Sequence, residues 1–403
     1  MSQLPWKNIP PREYPLGEMP LDTFLSEYWQ KKPLLIRNAL PDVTSPVAAD
    51  VLAGLACEEG VESRLIIQGD TEDEWELKHG PFNDETFSAL PASHWTLLVQ
   101  AVDHWIPEAA GLLELFNFIP RWRIDDLMMS YASDRGSVGP HYDNYDVFLV
   151  QTSGKRKWEI GGVYDDTAPH RENLPVTILS EFEALETWML EPGDILYVPP
   201  RVGHNGIAEG NDCMTCSIGF RAPSHSEILR EYTDYLGVNI SDTLRYEDPD
   251  LKPQSNPGKI TTQTLNKIHH ILRKYIDDKD SINDWFGRYI TTPKYDQADL
   301  VGLEQDETVY SIKDLESHLA SGGVLVRNES SRFAFEVQNN KNILFVDGSC
   351  FDPSNEDSND VNKLIETLCS KIELSDESFV QSDDNLSLLL QLLQRGALYL
   401  AET

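Results

Sequence analysis

Two histidines and an aspartate stand at spacings from which a metal site can be built. His141 and Asp143 lie in Gly139-Pro-His-Tyr-Asp-Asn-Tyr-Asp-Val-Phe-Leu-Val-Gln151, and His204 lies in Glu191-Pro-Gly-Asp-Ile-Leu-Tyr-Val-Pro-Pro-Arg-Val-Gly-His-Asn205. Along an extended strand, residues i and i+2 point to the same face. His141 and Asp143 can therefore turn together into a barrel mouth, while Tyr142 points away and Asp146 has the wrong parity to join them. In the second stretch a turn at Pro192-Gly193 opens a strand, Pro199-Pro200 ends it, and His204 follows on the rim. Two imidazoles and a carboxylate form a facial triad. It leaves three open positions on an octahedral iron(II), enough for a bidentate 2-oxo acid and dioxygen. Zinc favours a closed tetrahedral set, and no cysteine stands near the triad in these stretches. The competing reading is a barrel whose polar rim holds no metal.

A 2-oxo acid with a distal carboxylate needs a cation, and Lys155-Arg-Lys157 offers three. Parity chooses between them. Arg156 shares a face with Trp158 and Ile160, which look inward, whereas Lys155 and Lys157 share a face with Glu159. Arg156 is the buried candidate, and its planar fork suits a carboxylate. Cys213-Met-Thr-Cys216 has CxxC spacing, but on a strand i and i+3 face opposite sides, and no second Cys or His pair follows; core packing is expected for both. Gly161-Gly162 has no following helix pattern and is not a phosphate loop.

The elements around these residues divide into three textures. Residues 1–222 are rich in aromatics, Pro and Gly. Their first part, about 21–120, reads as mainly helical, with amphipathic stretches at Leu21–Tyr28 and Trp95–Trp105. Short strand-like runs follow at Asp146–Gln151, Lys155–Ile160 and Asp194–Val198, punctuated by turns at Thr152-Ser-Gly154 and Glu191–Asp194. That pattern indicates a β-barrel or sandwich. Residues 223–300 turn helical: Ile228, Leu229, Tyr232, Tyr235 and Leu236 share one face, and Leu265, Ile268, Leu272, Tyr275 and Ile276 another. Two helices make a thin core, so they are expected to pack on another copy of the chain or a neighbouring domain. Residues 301–403 run helix, strands, helices, the order of a small winged-helix-like module. A helix is expected near Ser311–Leu319, strands at Val324–Arg327, Phe333–Val337 and Ile343–Val346, and helices at Val361–Ile372 and Leu386–Leu393. With 19 acidic against 7 basic residues, this segment is not expected to bind DNA.

The 403 residues carry 67 Asp plus Glu against 33 Lys plus Arg, a formal net charge of -34. Such a surface repels phosphate backbones and attracts a basic protein. It serves solubility equally well. Five cysteines are sparse for a disulfide scaffold and fit a reducing compartment. The N-terminus has no apolar signal region and no run is long enough to span a membrane, so a cytoplasmic protein is expected.

His141-Tyr-Asp143, Gly154-Lys-Arg-Lys-Trp158, and Pro192-Gly-Asp-Ile-Leu-Tyr-Val-Pro-Pro200 with His204 resemble the JmjC-type oxygenases, and within them the bacterial ribosomal oxygenases of the YcfD type, which are arginyl hydroxylases. Ser63-Arg-Leu65, His79-Gly-Pro-Phe82, Trp95–Trp105, Trp122–Met128 and Ser217–Pro223 extend the resemblance over nearly the whole chain. It implies an α+β protein: a double-stranded β-helix (cupin/JmjC barrel) with a helical N-terminal part in 1–222, a helical dimerisation region in 223–300, and a winged-helix-like domain in 301–403. It implies an Fe(II)- and 2-oxoglutarate-dependent dioxygenase that hydroxylates the β-carbon of an arginine in a large-subunit ribosomal protein, expected to be protein sixteen. By position, His141, Asp143 and His204 match the iron ligands, Arg156 the 2-oxoglutarate anchor, and Ser130 a hydroxyl on the same carboxylate. The loop Ala132–Gly136 departs from the family pattern beside the expected substrate groove. Asp134, Tyr142 and Tyr145 are candidates to receive a guanidinium there. Ribosomal histidyl hydroxylases share the triad, so a histidyl target is an alternative. So are a demethylase, a small-molecule oxygenase, and an inactive JmjC-like scaffold that only binds a ribosomal protein.

Overall fold

The computed structural model describes residues 15–71, 73–295, 310–352, 359–375, 379 and 382–401. The expected boundary at 300/301, the extreme N-terminus and most of the acidic loop 352–360 lie outside them. The chain forms two compact units, Met1–Ala222 with Lys294–Thr308, and Pro223–Pro293 with Val309–Thr403.

The first unit is built on antiparallel strands: β1 (Leu34–Ile36), β2 (Ser63–Gln68), β3 (Trp75–His79), β4 (Trp95–Val99), β5 (Ile124–Ala132), β6 (Asp146–Val163), β7 (Glu186–Leu190), β8 (Ile195–Val198) and β9 (Val202–Phe220). They pair in the order β1-β8-β6-β9-β5-β4-β2-β3, with β7 on the far half of β6. The long strands β6 and β9 run side by side through the whole barrel. Short helices α1 (Leu21–Thr23), continued by a π-helical turn at Phe24–Tyr28, α2 (Ala49–Leu55), α3 (Asp84–Ser88) and α4 (Pro107–Leu113) accompany the sheet.

Every side chain from Asp146 to Thr152 is buried, because both faces of β6 are covered. Phe148 and Val150 join Phe24, Phe116, Tyr197 and Phe220 in the larger core, with Phe148 ring centroids 4.9 Å from both Phe116 and Tyr197. Val147 and Leu149 face the opposite side and pack with Trp158, Ile160, Leu196, Val198 and Val202. Asp146 is tied into the wall rather than the metal site: it accepts from Tyr197 Oη (2.6 Å) and Gln30 Nε2 (2.9 Å) and pairs with Arg123 (3.3 Å).

Several sequence expectations give way here. Residues 21–120 contain four strands, and Trp95–Trp105 is β4 followed by a single 3-10 turn (Val102–His104), not a helix. Trp95–Val99 pairs with both β2 and β5 and is covered on both faces. Its apolar residues therefore do not alternate, and periodicity could not separate it from a buried helix. Thr152-Ser-Gly154 is not a turn between two strands. It is a bulged stretch inside the continuous β6, with register shifts between Gln151 and Ser153 and between Ser153 and Lys155. Gly154 sits at φ +62°, where only glycine is at ease.

The second unit begins with α5 (His225–Asn239), α6 (Thr262–Ile276) and α7 (Lys279–Thr291). The expected two helices are present. The third, α7, was not anticipated. Ser224 and Glu227 form a capping box at the start of α5. Tyr232 of α5 meets Trp285 of α7 at 5.2 Å between centroids, and Gly287 of α7 lies directly against the Phe345 ring. The rest is α8 (Ile312–Ala320), β10 (Val324–Arg327), β11 (Phe333–Gln338), β12 (Lys341–Val346), β13 (Ser349–Phe351), α9 (Asn359–Ser370), β14 (Glu373–Leu374), α10 (Asp383–Gln394) and β15 (Leu398–Ala401). The strands form two three-stranded sheets, β14-β10-β15 and β11-β12-β13. Ser311 caps α8 as expected, accepting from the Asp314 N–H. Among the described residues no helix is long and apolar enough to cross a membrane.

Candidate metal centre

The backbone brings the two histidines together. His141 and His204 form an isolated antiparallel bridge and exchange both hydrogen bonds, N–H to carbonyl, at 3.0 and 2.8 Å. Residues directly opposite across such a pair project to the same face, and the two imidazole centroids are 4.3 Å apart. This corrects the parity argument. His141 and Asp143 precede β6 in an irregular approach, and cross-strand pairing, not a regular strand, sets their place. The Asp143 carbonyl is held separately by the Arg201 N–H at 2.6 Å. His204 is not on a rim after a strand either; it is the third residue of β9 and is buried.

One ligand atom from each of His141, Asp143 and His204 lies within 4.8 Å of the other two, with Asp143 Oδ2 3.6 Å from His204 Nε2. Each histidine also has its Nδ1 against a main-chain carbonyl, His141 on Gly139 O (2.9 Å) and His204 on Val202 O (3.0 Å). A carbonyl can only accept, so in the neutral ring the proton sits on Nδ1 and the Nε2 lone pair is free to bind a metal. Burial, reinforced by the neighbouring His141, pushes the His204 pKa down to about 4; Asp143 and the Val202 carbonyl oppose this in part. His204 is thus a neutral donor at physiological pH.

Further along β6, burial separates the three cations as parity requires. Arg156 is 5% exposed, while Lys155 reaches solvent and pairs with Glu191 at 2.5 Å, and Lys157 pairs with Glu159 at 2.9 Å. The Arg156 guanidinium lies 5.7 Å from the Trp158 ring centroid, and Trp158 is 5.8 Å from His204. Arg156 Nε donates to Cys213 Sγ at 3.4 Å, but its buried Nη2 has no hydrogen-bond partner. A buried guanidinium nitrogen without an acceptor is costly, and a carboxylate placed there would satisfy it. Ser130 is buried in β5 opposite Thr215. It shares the pleat face of Ala132, which packs against Cys213.

The three substrate candidates sit differently. The Asp134 carboxylate accepts from the Gly210 N–H at 2.8 Å. Tyr142 donates to the Asp165 carbonyl at 2.8 Å and stacks on Tyr164. Tyr145 is 42% exposed as a whole, but its phenol end is enclosed against Asp143, and that desolvation first, then the carboxylate, drives its pKa upward.

Sequence reasoning missed Gln151 and Thr215. Both are buried polar residues on the inner wall, joined by Thr215 Oγ1 donating to Gln151 Oε1 at 3.0 Å. A glutamine directly after the run Val147-Phe-Leu-Val150 was the available signal. Cys213 was set aside as packing. Cys213 and Cys216 do face opposite sides, Cys216 toward the large core and Cys213 toward Ala132 and Ala208, but Cys213 also touches Arg156.

The fold and these residues define a barrel oxygenase of the JmjC class. A JmjC domain model matches residues 111–228, and a ROXA-like winged helix model matches residues 274–399. The chain is 34% identical over 371 residues to the ribosomal protein uL16 3-hydroxylase of Escherichia coli K12, covering 92% of this chain and 94% of that one. It is 34% identical over 284 residues to a probable ribosomal oxygenase of Haemophilus influenzae, covering 67% and 68%. The X-ray structure of E. coli ycfD superposes with a TM-score of 0.84 at 31% identity, covering 95% of this chain and 99% of that one. The E. coli YcfD complex with cobalt and 2-oxoglutarate superposes at 0.82 and 32% identity, with the same coverage. The chain belongs to the ribosomal oxygenase family of JmjC proteins.

Proposed function

We propose that this protein is an Fe(II)- and 2-oxoglutarate-dependent dioxygenase that hydroxylates an arginine β-carbon in a large-subunit ribosomal protein, the counterpart of uL16. The observation that carries the reading is the junction of two parts. Two Nε2 atoms and a carboxylate converge within 4.8 Å, and on the same barrel wall a buried arginine has an unpaired Nη2. The unpaired Nη2 does not serve a purely structural barrel, because it leaves a buried donor unsatisfied.

In this reading His141, Asp143 and His204 hold the iron, and Arg156 with Ser130 holds the distal carboxylate of 2-oxoglutarate. When bound, the metal supplies dioxygen activation: one oxygen atom enters the substrate C–H bond, and the other enters succinate as 2-oxoglutarate loses carbon dioxide. The protein contributes orientation. The Gly139 and Val202 carbonyls fix both imidazoles in the ligating tautomer, and the apolar wall of Trp158, Ile160 and Val202 keeps water from the site. The net charge of -34 favours encounter with a basic ribosomal protein and opposes direct DNA binding. Asp134, Tyr142 and Tyr145 remain candidates to receive the guanidinium. The cytoplasm, where such a substrate is made, is the expected location. The helices of 223–300 form a dimerisation region in this reading, because the α6 side chains Leu265, Ile268, Leu272 and Ile276 are each at least 40% exposed and would be covered by a second copy. Sedimentation should then give a dimer that Leu272→Glu dissociates.

The deciding experiment is mass spectrometry of ribosomal proteins from cells with and without this protein. A mass gain of one oxygen on an arginine of uL16, lost with His141→Ala, is the expected result. A gain on a histidine redirects the target, and no gain on any ribosomal protein refutes the assignment.

A further inference from the structure

Gln151 and Cys213 lie on the inner wall of the barrel, and nothing in the metal chemistry requires them. Gln151 is fully buried, and its side chain is completely committed. Its Oε1 accepts from Thr215, and its Nε2 donates to the Ser153 carbonyl at 2.7 Å and to Cys213 Sγ at 3.4 Å. The Ser153 carbonyl belongs to the bulge that separates the two halves of β6. One side chain therefore ties the bulge to β9. Cys213 receives a second donor, Arg156 Nε, also at 3.4 Å. The result is a continuous buried chain from Thr215 through Gln151 and Cys213 to Arg156.

The chain has a geometric consequence. The bulge rotates the strand, so it determines which way Arg156 projects three residues later. The sulfur then engages the Nε side of the guanidinium. The planar fork is thereby held at Nε, while the buried Nη2 is left with no protein acceptor. Sulfur is a weak acceptor, so it can orient the guanidinium without competing with a carboxylate for it.

We propose that Cys213, braced by Gln151, is a positioning residue for Arg156 that holds the guanidinium ready for the distal carboxylate of the co-substrate. This rests on the assignment of Arg156 as the anchor. The thiol contributes through Arg156 and touches no reacting atom.

The test is calorimetric titration of 2-oxoglutarate into the full-length protein loaded with Mn(II), alongside the Mn(II) affinity and the melting temperature. Cys213→Val fills the space of the thiol but cannot accept a hydrogen bond; Cys213→Ser keeps an acceptor. The Val variant should bind 2-oxoglutarate about tenfold more weakly, the size expected for losing one weak hydrogen bond to a charged group. The Ser variant should recover most of that loss, and Mn(II) affinity should be unchanged in both. Gln151→Leu should weaken 2-oxoglutarate in the same direction, less than additively with Cys213→Val. If Cys213→Val binds 2-oxoglutarate within twofold of wild type while Arg156→Met does not bind it, the positioning role is wrong and the anchor stands. If Arg156→Met also binds normally, the anchor assignment itself has failed. If Cys213→Val lowers Mn(II) and 2-oxoglutarate affinity together with the melting temperature, the cysteine is only structural.

Discussion

Two glycines on β6 make opposite predictions. Gly154 lies in the bulge at φ +62°, and a Cβ placed on it would come within 2.7 Å of the Asp212 carbonyl oxygen, 2.8 Å of Cys213 Cα and 2.9 Å of Cys213 N. All three are main-chain atoms of β9, so no side chain can swing aside. Gly162, near the end of the strand, has nothing within 4 Å of such a Cβ. For Gly154→Ala the left-handed backbone costs roughly 1–2 kcal/mol, and forcing the main chains apart adds roughly 1–3 kcal/mol. The total is about 2–5 kcal/mol. Gly162→Ala should lie within about 0.5 kcal/mol of wild type, or be slightly stabilising through the unfolded chain. The two units need not unfold together, so scanning calorimetry should be read on the transition of the barrel unit alone. Gly154→Ala should lower it, and by displacing Cys213 should also weaken 2-oxoglutarate. If Gly154→Ala and Gly162→Ala melt together, the bulge is not a rigid junction, and the reasoning that links it to Arg156 fails.

Three further outcomes follow from the structure. Lys294 pairs with Asp125 and the buried Asp126 at 3.0 Å each, and Asp126 would keep only its neutral donors Gln100 and the Ala101 N–H, so Lys294→Met should destabilise the barrel unit by about 1–3 kcal/mol; chemical denaturation checks this, and a change below about 0.5 kcal/mol contradicts it. Gly287→Ala drives a methyl into the Phe345 ring and should lower only the transition of the second unit, by about 2 kcal/mol, leaving 2-oxoglutarate binding intact. The depressed His204 pKa gives a signed pH effect in the metal-free protein. The unfolded imidazole takes up a proton near pH 6.5 and the folded one only near 4, so this contribution to stability is complete above 6.5 and is lost as pH falls toward 4. Unfolding the metal-free protein across that window should show the slope, and His204→Gln should flatten it. An unaltered slope in that variant would remove His204 as its source.

The grouping of His141, Asp143 and His204 was legible because these residue types are rare in combination, and so was the strand character of Asp146–Gln151 and Lys155–Ile160; their continuity through Thr152-Ser-Gly154 as β6, and the length of β9, were not. The reason His141 meets His204 was not legible. Sixty-odd positions of chain separate them, and the contact depends on an isolated bridge whose register no local pattern encodes. Strand parity reached the right grouping of His141 and Asp143 from a premise the structure does not share. For Arg156 the same argument worked on its proper ground, since that residue does lie on a regular stretch of β6 with Trp158 and Ile160 beside it. Strand β4 was misread because burial on both faces erases the alternation that would mark it. Helix α7 was missed because Gly287 and the polar Lys279-Asp-Ser281 interrupt its apolar face. Only contact with the β12 ring of Phe345 explains the glycine.

The polar residues of the inner wall differ from those of an ordinary core in one respect. At Asp146 every carboxylate contact is closed by Tyr197, Gln30 and Arg123, as structural burial demands. Around Arg156 the pattern is closed on one side and open on the other: Thr215, Gln151, Cys213 and Nε satisfy one another, and Nη2 is left over. A sequence selected only for stability would have paired that nitrogen or replaced the arginine. Trp158 Nε1 on the same strand is also buried without a partner, so what sets Arg156 apart is that its unpaired nitrogen carries charge. That charge allows a direct test of the distinction. Filling the open position with an internal acceptor, as by Cys213→Asp beside the guanidinium, should raise the melting temperature or leave it unchanged while abolishing 2-oxoglutarate binding. A structural arginine would give the reverse.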